Sequence, residues 1–192
     1  MSSPVRAGAH ATAGLEFHIS PGGRTASTDS PYRDHLIAEA RPRLDHMSYV
    51  RRFDHVGITV TDLDAVTTFF VALGLEAGEK MFVEGEFLET VIGIPDSRTQ
   101  IVMLTPPDGG TTLELSSFVR PDHLPGSPAA PANELGLRNV AFEVDDLHAA
   151  VDRVAADGYE LVGGIGEYEG VWAMAYVRGP EGIIVSLAQR LG

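Results

Sequence analysis

The sequence predicts an α+β protein built from two tandem βαβββ modules. Three observations lead there. Residues 53–76 repeat at 137–160 without a gap, at an offset of 84 residues. Val56/Val140, Val60/Val144, Asp62/Asp146, Leu63/Leu147, Ala65/Ala149, Ala72/Ala156, Gly74/Gly158 and Glu76/Glu160 are identical, eight matches in 24 positions, against roughly one or two expected from composition. Within each copy a strand-type alternation gives way to a helical period and then returns to short alternating runs. Glycine- and proline-rich turns separate these runs.

In the first copy Val56, Ile58 and Val60 alternate with His55, Gly57 and Thr59, the period of a half-buried strand. Thr61-Asp62 supplies an N-cap, and Leu63, Val66, Phe69, Phe70 and Leu73 mark one face of a helix over 62–73. Gly74 is its left-handed terminator. Strands are expected at 80–83, 89–94 and 99–104, and after the turn Pro106-Pro107-Asp108-Gly109-Gly110 at 111–118. The second copy predicts a strand over 138–144, a helix over 146–157 ended by Gly158, and strands near 160–162, 172–178 and 183–189. Gly163-Gly164-Ile165-Gly166 opens no helix and reads as a flexible loop over the site, not a nucleotide fingerprint.

The chain divides accordingly into a disordered extension over 1–46, a first module over 50–119, a linker over 120–136 with four prolines, and a second module over 137–191. A short helix is expected near Tyr32–Ala40, ended by Pro42, and His10, His18, His35 and His46 read as solvated tail residues. Met47 stands directly before the organised region.

Composition narrows the function classes. The 192 residues carry a net charge of −13. Residues 1–46 hold five Arg and five Asp/Glu, so the whole excess lies in the remainder, nine Lys/Arg against 22 Asp/Glu. A body this acidic repels phosphate backbones, so nucleic acid is not an expected partner. No apolar run approaches the ~18 residues of a membrane span, and no secretory leader is recognised. With no cysteine there is no disulfide, thiol catalysis or thiolate metal site. A cytoplasmic location is the expectation.

Alternation also sorts the side chains. Val56, Ile58 and Val60 turn towards the helices, and His55, Gly57 and Thr59 to the other side. Leu113 and Leu115 are assigned to the core, with Thr112, Glu114 and Ser116 opposite. In the second copy Asn139, Ala141 and Glu143 join Ile184, Ser186 and Ala188 on that opposite side. His55, Glu114, Asn139 and Ser186 are therefore the four equivalent positions.

The tandem βαβββ pattern, the string His-Val-Gly-Ile-x-Val-x-Asp-Leu at 55–63 and Gly-Pro-Glu-Gly-Ile-Ile-Val at 179–185 resemble the vicinal oxygen chelate superfamily. That group includes glyoxalase I, extradiol dioxygenases, methylmalonyl-CoA epimerase and bleomycin-resistance proteins. The resemblance covers about residues 50–191 and implies two modules curling their sheets into a cupped cavity, helices outside, usually in a homodimer. It also implies a divalent metal held by the first and last strands of each module.

On that resemblance His55 and Glu114 are ligand types suited to Fe, Mn, Ni, Co or Zn. Asn139 and Ser186 stand where histidine and glutamate are usual; Asn139 is a weak ligand and Ser186 cannot shuttle a proton as that glutamate does. An extradiol dioxygenase, which needs two histidines and a carboxylate, fits less well. Two readings of His55 and Glu114 stand: metal ligands, or polar cavity residues bonded to each other or to a bound molecule. Glu143, two residues past Asn139, is a candidate base beside Glu114; rim placement is the competing reading. His123 in the linker and His148 on the helix are assigned to the surface. Thr59, Ser186, Trp172 and Tyr176 are expected to line the substrate pocket, with Tyr168, Met174, Phe87 and Met103 on neighbouring segments. The implied function is a divalent-metal-assisted isomerase or lyase, resembling lactoylglutathione lyase, acting on a small molecule with adjacent oxygens. The alternative is a metal-free protein binding a small, cationic or aromatic molecule, like the bleomycin-resistance members.

Overall fold

A computed structural model describes residues 49–192; the expectations for the 1–46 extension, its helix and its histidines lie outside the described residues. The described chain forms two five-stranded mixed sheets and three helices. In the first sheet β1 (His55–Thr59) runs parallel to β5 (Thr112–Arg120), and β4 (Arg98–Thr105) lies antiparallel beyond it. Two short strands, β2 (Glu76–Ala77) and β3 (Met81–Glu84), both pair with β4. The second sheet repeats this plan. β6 (Asn139–Glu143) is parallel to β10 (Ile184–Arg190), β9 (Trp172–Arg178) is antiparallel to β10, and β7 (Glu160–Leu161) and β8 (Gly166–Tyr168) flank β9.

Helix α1 (Leu63–Ala72) follows β1, α2 (Glu86–Ile92) follows β3 and α3 (Leu147–Ala156) follows β6. The repeat is visible in the caps. The Asp62 carboxylate accepts from Ala65 N and that of Asp146 from Ala149 N, each satisfying an amide that the helix itself leaves unpaired. In both copies the chain then leaves the helix through a glycine at positive φ, 103° at Gly74 and 86° at Gly158.

Leu63, Val66, Phe69 and Phe70 of α1 are buried with Leu147 and Val154 of α3, Val102, Leu104, Leu113 and Leu115 of the first sheet and Ala175, Val177, Val185 and Leu187 of the second, in one contiguous core. The join is aromatic: Phe69 meets Tyr159 edge to face at 5.0 Å and Phe70 meets Phe142 at 6.3 Å. A polar latch adds to it. The turn Pro180–Gly182 between β9 and β10 places the Glu181 carboxylate on the amides of Thr61 and Asp62, at 2.6–2.9 Å, just before α1.

Three expectations change. The strand expected at 89–94 is the helix α2. Gly85 and Gly93, at φ 88° and 70°, bracket it, and Glu86, Leu88 and Glu89 are good helix formers. Strand β2 was not anticipated; with it in the first module and β8 in the second, each module has one strand more than βαβββ. Gly166 begins β8 instead of belonging to a loop, because its backbone pairs with Met174. No described helix is long and apolar enough to cross a membrane.

Candidate functional site

Residues opposite one another on paired strands share a sheet face. In the first sheet Gly57 lies opposite Glu114 and Glu114 opposite Met103; Thr59 lies opposite Ser116 and Ser116 opposite Ile101. These residues and His55 form the face turned away from the core. His55 is one diagonal step from Glu114, about 8 Å between Cα atoms from ordinary strand spacing and rise. Both side chains are long enough to reach a common atom from there. Thr59 stands exposed on the same face, as do Met81 and, half-buried, Met103.

The His55 ring is oriented. Its Nδ1 lies 3.0 Å from Asp54 Oδ2, and since a carboxylate only accepts, Nδ1 carries the proton. That leaves Nε2 as the ring nitrogen not engaged by Asp54, on a side chain 39% exposed. Arg52 is bonded to the other Asp54 oxygen. The hydrogen bond from His55, then the Arg52 charge, hold the Asp54 carboxyl below the usual carboxylate range. The Glu114 carboxylate is half-buried and has no hydrogen bond or ion pair among the described residues.

In the second sheet Ala141, Ser186 and Tyr176 form one row, and Asn139, Ile184 and Arg178 the next. Asn139 Nδ2 donates to the Tyr176 hydroxyl at 3.3 Å, a bond that spans β10. Ser186, between those strands, is 2% exposed and its hydroxyl has no partner, a condition that ordinarily costs about 1–3 kcal/mol. Glu143 is exposed and lines a cleft of about 660 Å³ between the end of α1, the β4–β5 turn and the start of α3. Trp172 is half-buried, with the Arg190 guanidinium 5.7 Å from its ring. Tyr168 and Phe87 are exposed, and Met174 partly so.

His148 is exposed. The surface assignment of His123 is corrected: it is half-buried, its Nε2 accepts from Phe118 N at 3.1 Å, and its ring meets Phe118 edge-on. Sequence reading missed Asp54, because alternation sends neighbours to opposite faces. Asp54 precedes β1, where that rule no longer applies. It also missed Arg178, whose guanidinium donates to the carbonyls of Pro128, Ala130 and Gly182.

The donor chemistry suits a divalent cation at His55 and Glu114, since an imidazole oriented by a carboxylate is the usual arrangement of a metal-binding histidine. Among the described residues no three His, Cys, Asp or Glu side chains converge, so this face offers two strong donors.

A mixed sheet with a parallel first-and-last strand pair, repeated, and a polar face on each copy define a class of paired-module proteins. Residues 52–187 match the Glyoxalase/Bleomycin resistance protein/Dioxygenase superfamily, and the chain belongs to that superfamily. A glyoxalase family protein from Bacillus cereus is similar at 37% identity and TM-score 0.74, over 77% of this chain and 99% of that one. A glyoxalase I variant from Zea mays shares the fold at 18% identity and TM-score 0.53, over 73% of this chain and 45% of that one. A glyoxalase family protein from Enterococcus faecalis does so at 21% and 0.52, over 73% and 99%. No match was found among functionally curated proteins.

Proposed function

We propose that this protein is a divalent-metal-assisted isomerase or lyase acting on a small molecule with adjacent oxygens, with His55 and Glu114 as the protein's metal ligands. The observation that supports the reading is the Asp54–His55 pair, which orients the imidazole through Nδ1, on a strand whose His55 position shares a sheet face with Glu114. A bound cation would take two neighbouring substrate oxygens and stabilise charge developing on them. Asp54 holds the imidazole in place, and the hydrogen bond from His55, then the Arg52 charge, favour the ionised form of Asp54. Glu114, with no hydrogen bond or ion pair among the described residues, serves as ligand or as base at the substrate carbon. Glu143 remains a second candidate base. Thr59 and Met103 border the substrate, and Tyr176, Ser186 and Trp172 line the corresponding face of the second module. The reading includes a homodimer, by analogy with relatives of this fold.

A second reading, a metal-free small-molecule binder, is supported by the neutral Asn139 and Ser186 at the second module's equivalent positions. Elemental analysis of the full chain purified without chelator, repeated on His55→Ala, separates the two. Stoichiometric Fe, Mn, Ni, Co or Zn that disappears in the variant supports the enzyme. A metal-free wild type that still binds ligand supports the binder.

A further inference from the structure

Strand β6 is a free edge of its sheet, and the cleft of about 660 Å³ opens along it. An edge strand borders such a space with residues of both its faces, which is why the consecutive residues Ala141 to Asp146 all line it. The floor is apolar: Ala72 and Leu73 at the end of α1, Phe142 and Val144 along β6, and Ala150 of α3. All five are half-buried, so they keep surface that a bound molecule can cover. The rim is anionic. Asp108, Glu143, Asp145 and Asp146 are exposed around it, and Arg153, the one cationic residue among the described lining, is held by Asp157 at 3.1 Å. Asp108 accepts from Gly110 N and Asp146 caps α3. Glu143 and Asp145 have no hydrogen bond or ion pair among the described residues.

We infer that this cleft binds a small organic cation, an arylalkylammonium or alkylammonium ion, with its head at Glu143 and Asp145 and its apolar body over Leu73, Phe142 and Ala150. The volume falls within the roughly 300–1,000 Å³ of ordinary small-molecule sites. Volume and floor mark the site, and the two unpaired carboxylates decide the sign of the charge that enters it. A bare metal ion is not the occupant: no three His, Cys, Asp or Glu side chains converge among the described residues, and the apolar floor supplies no ligand oxygen. An anion would meet four carboxylates, and a neutral molecule gains the floor alone. The bound cation touches α1 and the β4–β5 turn on one side and β6 and α3 on the other, so it ties the first module to the second. Neither His55 nor Glu114 lines the cleft, so the inference does not rest on the metal reading. Glu143, the second candidate base there, is the one residue in common, and Asp145 is therefore tested alone as well.

The full chain is titrated in chelator with phenethylammonium, with neutral phenethyl alcohol and with phenylacetate, three molecules of similar size and different charge. Amide chemical shifts locate the site, and the thermal midpoint reports the tie between modules. The ammonium is expected to give saturable shifts at the end of α1, the β4–β5 turn, Ala141 to Asp146 and α3, and to raise the midpoint. The alcohol should bind the same residues about tenfold more weakly, and phenylacetate should give no saturable shift there. Glu143→Gln combined with Asp145→Asn should weaken the ammonium about tenfold and leave the alcohol unchanged, and Asp145→Asn alone about threefold. As a control, Glu167→Gln with Glu169→Gln removes the same charge at exposed positions that do not line the cleft, and should leave the ammonium affinity unchanged. Thermal melts without ligand verify that each variant is folded. No saturable shift in the cleft, equal affinity for the ammonium and the alcohol, or equal losses in the two double variants would overturn the site. Loss of metal in His55→Ala would leave this result untouched, so the two readings fail separately.

Discussion

Replacing Glu181 tests whether the two modules are held together by more than apolar contact. Its carboxylate accepts three hydrogen bonds, from Thr61 N at 2.9 and 2.8 Å and from Asp62 N at 2.6 Å. Hydrogen bonds to a charged group contribute about 1.5–3 kcal/mol when sheltered. Glu181 is exposed, so water can take its place and salt screens it. Cap-like carboxylates in such positions stabilise by about 0.5–2 kcal/mol. Glu181→Ala should therefore cost about 1–2 kcal/mol, a fall of roughly 2–8 °C in midpoint for a domain of this size. The backbone supplies a control. Glu181 has φ 53°, a conformation that strains any residue with a Cβ, by about 1 kcal/mol. Glu181→Gly loses the same hydrogen bonds but relieves that strain, so it should melt above the alanine variant by about that amount. Urea denaturation with a constant m-value measures both. An alanine variant within about 0.3 kcal/mol of wild type would refute the latch. Identical alanine and glycine variants would refute the strain argument.

Three further predictions concern the core, the backbone and the site. Phe70→Ala, which empties a fully buried ring position touching Phe69 and Phe142, should cost about 3–5 kcal/mol by urea denaturation. Gly158→Ala and Gly182→Ala both place a side chain at positive φ, but only the second drives a Cβ to 2.0 Å from the Pro128 carbonyl oxygen. The first should lose about 1 kcal/mol and the second several, because backbone must move. Asp54→Asn removes the charge that orients His55 and should weaken metal binding about 10–100-fold in a competition titration, with the fold unchanged.

Elements whose cause is local were legible in the sequence. Alternation at 56–60 and 140–144, the capping aspartates 62 and 146, and the glycines 74 and 158 each act within a few residues, so β1, α1, β6 and α3 follow from them. Helix α2 was misread because Thr90, Val91 and Ile92 are β-branched and mimic a strand. Only Leu88 is buried there, so burial leaves no helical period to read, and the two flanking glycines decide the outcome. The contact of Glu181 with Thr61 spans 120 residues and has no local signature. At the candidate site, period-two sorting placed His55 with Glu114 and Asn139 with Ser186, because register follows from which residues face the core. It gave no indication that Ser186 would be buried. That depends on the strands on either side, which put Ala141 of β6 and Tyr176 of β9 opposite it.

That burial bears on how the two halves of the repeat diverged. If Asn139 and Ser186 were simple losses of a second donor pair, restoring His and Glu should be equally easy at both positions. The structure argues otherwise. Asn139 is half-buried at the start of β6, and Asn139→His adds a ring of moderate size beside the Tyr176 hydroxyl. Such a change should cost less than about 1 kcal/mol. Ser186 is 2% exposed, with the Asn139–Tyr176 bond crossing its strand. Ser186→Glu must overpack the site, at about 1–3 kcal/mol, and also bury a carboxylate or displace the tyrosine. It should therefore destabilise by about 3 kcal/mol or more. Adding Tyr176→Ala opens the space and should recover much of that loss, a non-additivity expected of neighbours in contact. If Ser186→Glu alone unfolds at the wild-type midpoint, Tyr176 does not confine this position, and packing sets no barrier to a glutamate there.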